Sequence, residues 1–462
     1  MQNTTYEVPY RHVHPAARSR AFLYALLALG ALLCTSPVHA LPSYAQQSGL
    51  PCVQCHAIGF GPALTAYGRQ FKLNAYALGA HEKSVPLALM AVLTNTRTSA
   101  DLPEAPAEHF DTNNNSALNE LTGFIAGRIG EHAGTFIEAA YSGVERHTAW
   151  GAFDVRYARA FQLGGHGIVG GVTINNNPTV SDLWNSTPVW SFPYTGSALA
   201  PTPGAAPIVA GGIEETVLGP TFYAMIDDRF YLELGGYRSL SDSMLGNVGL
   251  SAANNSRLDG FAPYYRAAVQ FTNGPHYFSV GMLGLNVKQK PDPTTPETNK
   301  FDDFGFDATY QHTAADASNL QANLSVVHES RHLDASVAAG EAENVSGTLN
   351  STRADVTWTY KQTWVAALGL FNVTGSSDAG LYAPEAVAGS NAGKPDSNGY
   401  VVQLEYVPFG KLNSPYRPWL NVRVGLQYTG YSKFNGASSD YDGFGRNASD
   451  NDTLFGFIWV AL

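Results

Sequence analysis

Charge is scarce in this chain. Asp, Glu, Lys and Arg make up 14% of the 462 residues, where soluble globular domains carry about a quarter. An ordinary charged surface is therefore excluded, and the formal net charge of −11 excludes the basic footprint of a nucleic-acid partner. Cysteine is scarcer still, at three residues: Cys34, Cys52 and Cys55. With no second Cys pair and no close His-x-His, a four-ligand zinc site has too few donors. No βαβ pattern surrounds Cys52 and Cys55, which removes a thioredoxin-like reading. The apolar run Ala21 to Leu33 is about 13 residues long, short of the roughly 20 that a helix needs to cross a bilayer.

That run has another use. Arg18 and Arg20 precede it, Pro37 follows it, and Val38-His39-Ala40 supplies small residues at the −3 and −1 positions of a cleavage site. Residues 1–40 read as a secretory signal peptide. The expected mature chain begins at Leu41 and keeps only Cys52 and Cys55.

Those two cysteines stand in Cys52-Val53-Gln54-Cys55-His56. C-x-x-C-H is the attachment pattern of c-type haem. Two thiols at this spacing add to the two vinyl groups of one porphyrin, and the adjacent His56 becomes the proximal iron ligand. One covalent c-type haem is the expected cofactor. Residues 41–84 form a short helical segment around it. Pro62 suits a helix start, and Leu64, Tyr67 and Phe71 recur at helical spacing. Such a stripe packs either on a porphyrin face or as a plain amphipathic helix. Arg69 and Lys72 are placed to pair with haem propionates or to sit in solvent. For the sixth iron position the nearest candidates are His81 and Met90.

From residue 85 to residue 462 the pattern is different. Apolar and polar residues alternate over short segments separated by Gly, Asn, Asp, Ser and Pro. About 16 strands can be placed, centred near residues 90, 123, 138, 154, 171, 222, 233, 265, 281, 307, 323, 356, 367, 402, 423 and 457, and an even number is what a bacterial single-chain barrel requires. Connections after odd-numbered strands are mostly long and those after even-numbered strands mostly short, the asymmetry of outer-membrane barrels. The chain ends on the alternating stretch Thr453 to Leu462. The expected fold is all-β: an outer-membrane antiparallel β-barrel of about 16 strands, with the small N-terminal α-helical monohaem segment plugging it. The inward set then holds Glu138, Asp154, Glu233, Asp307, Asp355, Glu405, Arg128, Arg156, Arg266, Arg353 and Arg423. Those charges would line an aqueous pore or bond a plug. In the outer loops Asp440, Asp442, Asp450 and Asp452 offer hard oxygen ligands to a passing cation.

In architecture, and in the local runs Leu41-Pro42-Ser43-Tyr44-Ala45, Pro51-Cys52-Val53-Gln54-Cys55-His56 and Tyr67-Gly68-Arg69-Gln70-Phe71-Lys72-Leu73-Asn74, the chain resembles the fused monohaem cytochrome–porins of the outer membrane. That resemblance implies an electron conduit in the outer membrane. It would take electrons from an extracellular reductant, Fe(II) in the studied members, and pass them to a periplasmic carrier such as a soluble cytochrome. The alternative is a porin-type solute channel whose haem is a redox-sensitive or structural plug.

Overall fold

The computed structural model describes residues 43–79, 87–250, 256–292, 294–411, 413–416 and 419–462. The signal peptide, the Ser84–Pro86 link and His81 lie outside the described residues.

Sixteen long antiparallel strands form one closed barrel. They are β1 (Leu87–Thr98), β2 (Asn115–Gly130), β3 (Ala133–Ser142), β4 (His147–Leu163), β5 (His166–Asn175), β6 (Val217–Ile226), β7 (Phe230–Ser239), β8 (Ala262–Asn273), β9 (His276–Lys290), β10 (Asn299–Thr313), β11 (Asn319–Leu333), β12 (Ser346–Tyr360), β13 (Trp364–Gly375), β14 (Ser397–Tyr406), β15 (Asn421–Lys433) and β16 (Thr453–Ala461). Each strand pairs with its neighbours in sequence. The seam is closed by β1, which pairs with both β2 and β16, Met90 lying opposite Thr122 on one side and Ala461 on the other. Closure satisfies every ladder and leaves no edge, the condition for sheet to cross lipid. The two-residue strand Arg257–Leu258 only caps the outer end of β9. All sixteen centres read from the alternation fall within these strands.

The alternation is inverted relative to a soluble protein. On β9, Phe278, Val280 and Met282 are exposed while Tyr277, Ser279 and Leu283 are buried. On β14, Tyr400, Val402, Leu404 and Tyr406 point outward while Gln403 and Glu405 are buried. An apolar outside and a polar inside is the pattern of a barrel solvated by lipid. The last strand departs from it. Leu454 and Ile458 face out as elsewhere, but the inward side holds the buried aromatics Phe455, Phe457 and Trp459.

At one end the connections are tight. Gly164-Gly165 and Asp227-Asp228 turn with positive φ at both central residues, the backbone that hairpins of right-twisted strands prefer. At the other end the chain makes long excursions, 99–114, 176–216, 240–261, 376–396 and 434–452. The exceptions are the short 143–146 turn at that end and the long 407–420 connection at the tight end. The outer loops are ordered by their own carboxylates. Asp378 accepts from the amides of Glu343, Asn344, Gly380 and Leu381. Asp442 accepts from Val387, Phe444 and Arg446. Asp450 closes a capping box with Asn447, and Asp452 accepts from Tyr428 and Tyr431. The expected cation ligands Asp440, Asp442, Asp450 and Asp452 thus bind loop backbone and side-chain donors. Asp440 completes the set by accepting from the Gly445 amide.

Lipid solvation of the outer face is directly testable. Leu370 is mid-strand on β13 and 55% exposed. Leu370→Arg should cost about 2–4 kcal/mol, as charges near the midplane of such barrels do. Denaturant titration of tryptophan fluorescence in liposomes measures this.

Candidate functional site in the barrel lumen

Residues 43–79 lie against the inner wall at the tight-turn end. Three short helices carry them: α1 (Ser43–Ser48), α2 (Cys52–Cys55) and α3 (Ala66–Leu73). Helix α2 is one turn, entered from extended Pro51. It closes when the His56 amide donates to the Cys52 carbonyl at 2.9 Å. The chain then loops through Ala57–Ala63, with Gly59 and Gly61 at positive φ, and returns beside His56 through a bridge to Leu64. Thr65 caps α3 by accepting from the Gly68 amide and also donates to the Gln54 carbonyl. This ties α3 onto α2. Contact is closest at Gly68, where a Cβ would stand 2.2 Å from the Cys55 carbonyl oxygen. Only glycine fits there.

Both thiols are free, and Cys52, Cys55 and His56 are half-buried. Burial raises the Cys52 pKa. Burial and then the neighbouring Cys52 push Cys55 up to about 12. Burial pulls His56 down to about 4, with the Gly61 carbonyl opposing and the Arg423 charge assisting. The site therefore presents two protonated thiols and a neutral imidazole, whose Nδ1 is buried without a hydrogen-bond partner.

Lumen charges hold this segment in place. Arg423 on β15 is bidentate to Glu405 on β14, at 2.6 and 2.8 Å. Its third nitrogen donates to the Phe60 carbonyl at 3.0 Å. The Phe60 ring meets Trp459 of β16 edge-on at 5.1 Å, while the Asn421 amide donates to the Gly59 carbonyl. Around α3, Arg156 pairs with Asp154 at 2.6 Å, and Asp154 accepts from Tyr76. Tyr223 donates to the Leu73 carbonyl, and Tyr44 to that of Thr135. The Phe71 ring packs on Tyr44 at 5.0 Å.

Arg69 and Lys72 are buried, not solvated. Arg69 donates to Gln311 and to the Leu64 carbonyl and lies 3.6 Å above the Tyr277 ring; its Nη2 has no partner. Lys72 donates to the Asp182 carbonyl at 2.6 Å and to Asn185 at 2.7 Å. Burial, with Arg156 assisting, lowers its pKa to about 7. Both partners of Lys72 belong to the long 176–216 loop, which folds into the lumen from the opposite end. There Asp182 meets Arg266, Val209 donates to Asp303, and Asn185 donates to the Pro62 carbonyl. The N-terminal segment and the infolded loop therefore touch inside the barrel. Six of the inward charges form ion pairs, Arg156 with Asp154, Arg266 with Asp307 and Arg423 with Glu405, and each pair also bonds one of these two inserts.

Met90 faces inward from β1 and packs against the cluster of Phe60, Val92, Phe455, Phe457 and Trp459. Among the described residues, no group of three His, Cys, Asp or Glu side chains is arranged to hold a metal ion. Sequence reading did not find the infolded loop, the Asn421–Gly59 contact or Trp459. A hint lay in the last strand, whose two faces are both apolar where its neighbours carry one polar face.

No protein-family model and no curated protein matches the chain. Solved structures do. In-vitro folded OmpT, an outer membrane protein of Vibrio cholerae, aligns with TM-score 0.39 and 11% identity over 82% of this chain and 98% of its own. The anion-selective porin from Comamonas acidovorans aligns at 0.42 and 13%, over 82% and 99%. Salmonella typhi OmpF in complex with daunomycin aligns at 0.44 and 13%, over 81% and 97%.

The Arg423 anchor predicts an asymmetry. Arg423→Ala leaves Glu405 as an unpaired buried charge and should cost about 3–5 kcal/mol, while Arg423→Leu combined with Glu405→Leu should cost far less. The temperature at which the compact electrophoretic band converts to the slow one orders the three proteins.

Proposed function

We propose that the protein is an outer-membrane electron conduit built on a porin-like barrel, with one c-type haem attached at Cys52 and Cys55 and ligated by His56. The observation that carries this reading is the enclosure of C-x-x-C-H within a closed, lipid-facing barrel, with both thiols free and the imidazole nitrogen unpartnered. The donor set fits the group. Two thiols one helical turn apart are the attachment pair. A neutral imidazole is the form of histidine that ligates iron, and the Gly61 carbonyl lies near enough to orient the ring. When bound, the haem would supply a one-electron centre that accepts from an extracellular reductant, Fe(II) by the resemblance, and gives to a periplasmic carrier such as a soluble cytochrome.

The chain's own residues do the rest. Gly68 lets α3 lie against the attachment turn. Arg423, Asn421 and Trp459 fix the 57–61 loop to the wall. Arg69 keeps one buried N–H free for a propionate, whereas the Lys72 ammonium bonds the infolded loop. Met90 offers a thioether from the inward face of β1 for the sixth position, beside His81 as the other candidate. No general acid or base is required.

A solute channel is the second reading, and the strand count favours it, since barrels of 16 strands leave an aqueous lumen. The two inserts meeting through Lys72 and Asn185 oppose it, because they occupy that lumen.

The purified protein should show a haem absorption that becomes reduced on adding Fe(II). Reduction by dithionite but not by Fe(II) would remove iron as the donor, and absence of covalent haem would sink the conduit. His56→Ala should abolish reduction while heat-modifiable mobility stays intact. Rapid liposome swelling by small sugars, without electron transfer to an external acceptor, would establish the channel instead.

A further inference from the structure

Toward the long-loop end of the lumen, away from Cys52–His56, four carboxylates gather without a cation. Glu120 of β2 and Glu138 of β3 come from the wall; Glu214 and Glu215 come from the last residues of the infolded loop. Glu138 lies within electrostatic reach of the other three. All four are half-buried, so each keeps contact with water inside the barrel. None makes an ion pair among the described residues, unlike Asp154, Asp182, Asp307, Glu329 and Glu405 elsewhere in the lumen.

A second feature points to a ligand. Asn177 is only 5% exposed. Its Nδ2 donates to Glu214 at 2.8 Å, and the Oδ1 of the same amide is buried without a partner. Buried amide oxygens are ordinarily satisfied. A lone acceptor on an amide bonded to this acidic cluster asks for a donor or a cation. Space for it exists above Gly151. A Cβ there would stand 3.2 Å from Glu138 Oε2 and 3.7 Å from Glu215 Oε1, so the glycine leaves the gap between the two carboxylates open. Repulsion is felt at Glu214, which burial and then Glu215 push up to about 7; burial alone raises Glu215.

We propose that Glu120, Glu138, Glu214, Glu215 and the Asn177 oxygen form a binding station for a small hydrated divalent cation inside the outer half of the barrel. The oxygens are not gathered closely enough to take a bare ion, so the cation is held through its waters, as magnesium-like ions commonly are. This site stands apart from the haem reading: a conduit would use it to concentrate a cationic reductant, and a channel would use it to select cations.

The test is titration of the full-length protein in detergent with Mn(II), following the free-ion signal by electron paramagnetic resonance. The wild type should take up Mn(II) saturably. Combining Glu138→Gln, Glu214→Gln and Glu215→Gln should weaken uptake by about tenfold or more, since affinity follows ligand charge. Gly151→Ala should weaken it with every charge retained. Glu108→Gln, on an exposed outer loop, should leave it unchanged. Heat-modifiable mobility checks each fold, and Glu215→Gln alone replaces the triple variant if that does not fold. Lack of saturable uptake by the wild type overturns the proposal. So does equal loss from Glu108→Gln, which would mean diffuse attraction to the loops.

Discussion

Arginine–carboxylate pairing inside the barrel is the interaction on which the structure depends. A lumen wall of alternating polar residues is stable while water fills it. Once it is packed with chain, each buried charge must find a partner or be strongly disfavoured. Arg156 with Asp154, Arg266 with Asp307 and Asp182, and Arg423 with Glu405 provide those partners. In the third pair the guanidinium has a donor left over, and it reaches the Phe60 backbone. In the second, the wall arginine binds an aspartate of the infolded loop. The same charges that neutralise one another thus fasten two separate inserts, and the planar fork of arginine makes both contacts possible at once.

Much of this was legible in the sequence. The strand positions and the asymmetry of the connections follow from a period of two, which survives any detail of packing. The inward charges were legible for the same reason, since Arg423 and Glu405 sit on the polar phase of β15 and β14. Lysine and arginine on α3 were not. Their helical spacing marks them as exposed or cofactor-facing, but the wall supplies Gln311 and Tyr277 to Arg69, and the loop supplies Asp182 and Asn185 to Lys72, partners more than a hundred residues away. The infolding of 176–216 was equally hidden. Its local composition is that of any outer loop, and only tertiary contacts decide that it turns inward.

The acidic loops illustrate the opposite error of reading composition as chemistry. Asp440, Asp442 and Asp452 look from the sequence like free hard ligands. In the fold each carboxylate accepts from amides or hydroxyls that the long excursions would otherwise leave unsatisfied. Carboxylates of another kind occur deeper, where Glu138, Glu214 and Glu215 share one side of the lumen with one donor each to Glu138 and Glu214, from Ala152 and Asn177. How many donors the fold supplies, more than residue type, separates structural acids from those with oxygens left to meet a ligand.

Gly68 and the β1–β16 seam together impose an order on biogenesis. Residues 43–79 precede the first strand in the chain yet lie within the finished wall, with the infolded loop lying against them on one side. They cannot be threaded in afterwards past bonds as numerous as those of Arg423, Tyr76 and Lys72. The segment must be folded and in position when β1 joins β16. Any covalent change that a folded enzyme makes at Cys52 or Cys55 is consequently easiest before the cylinder is sealed, while the segment is still outside the wall.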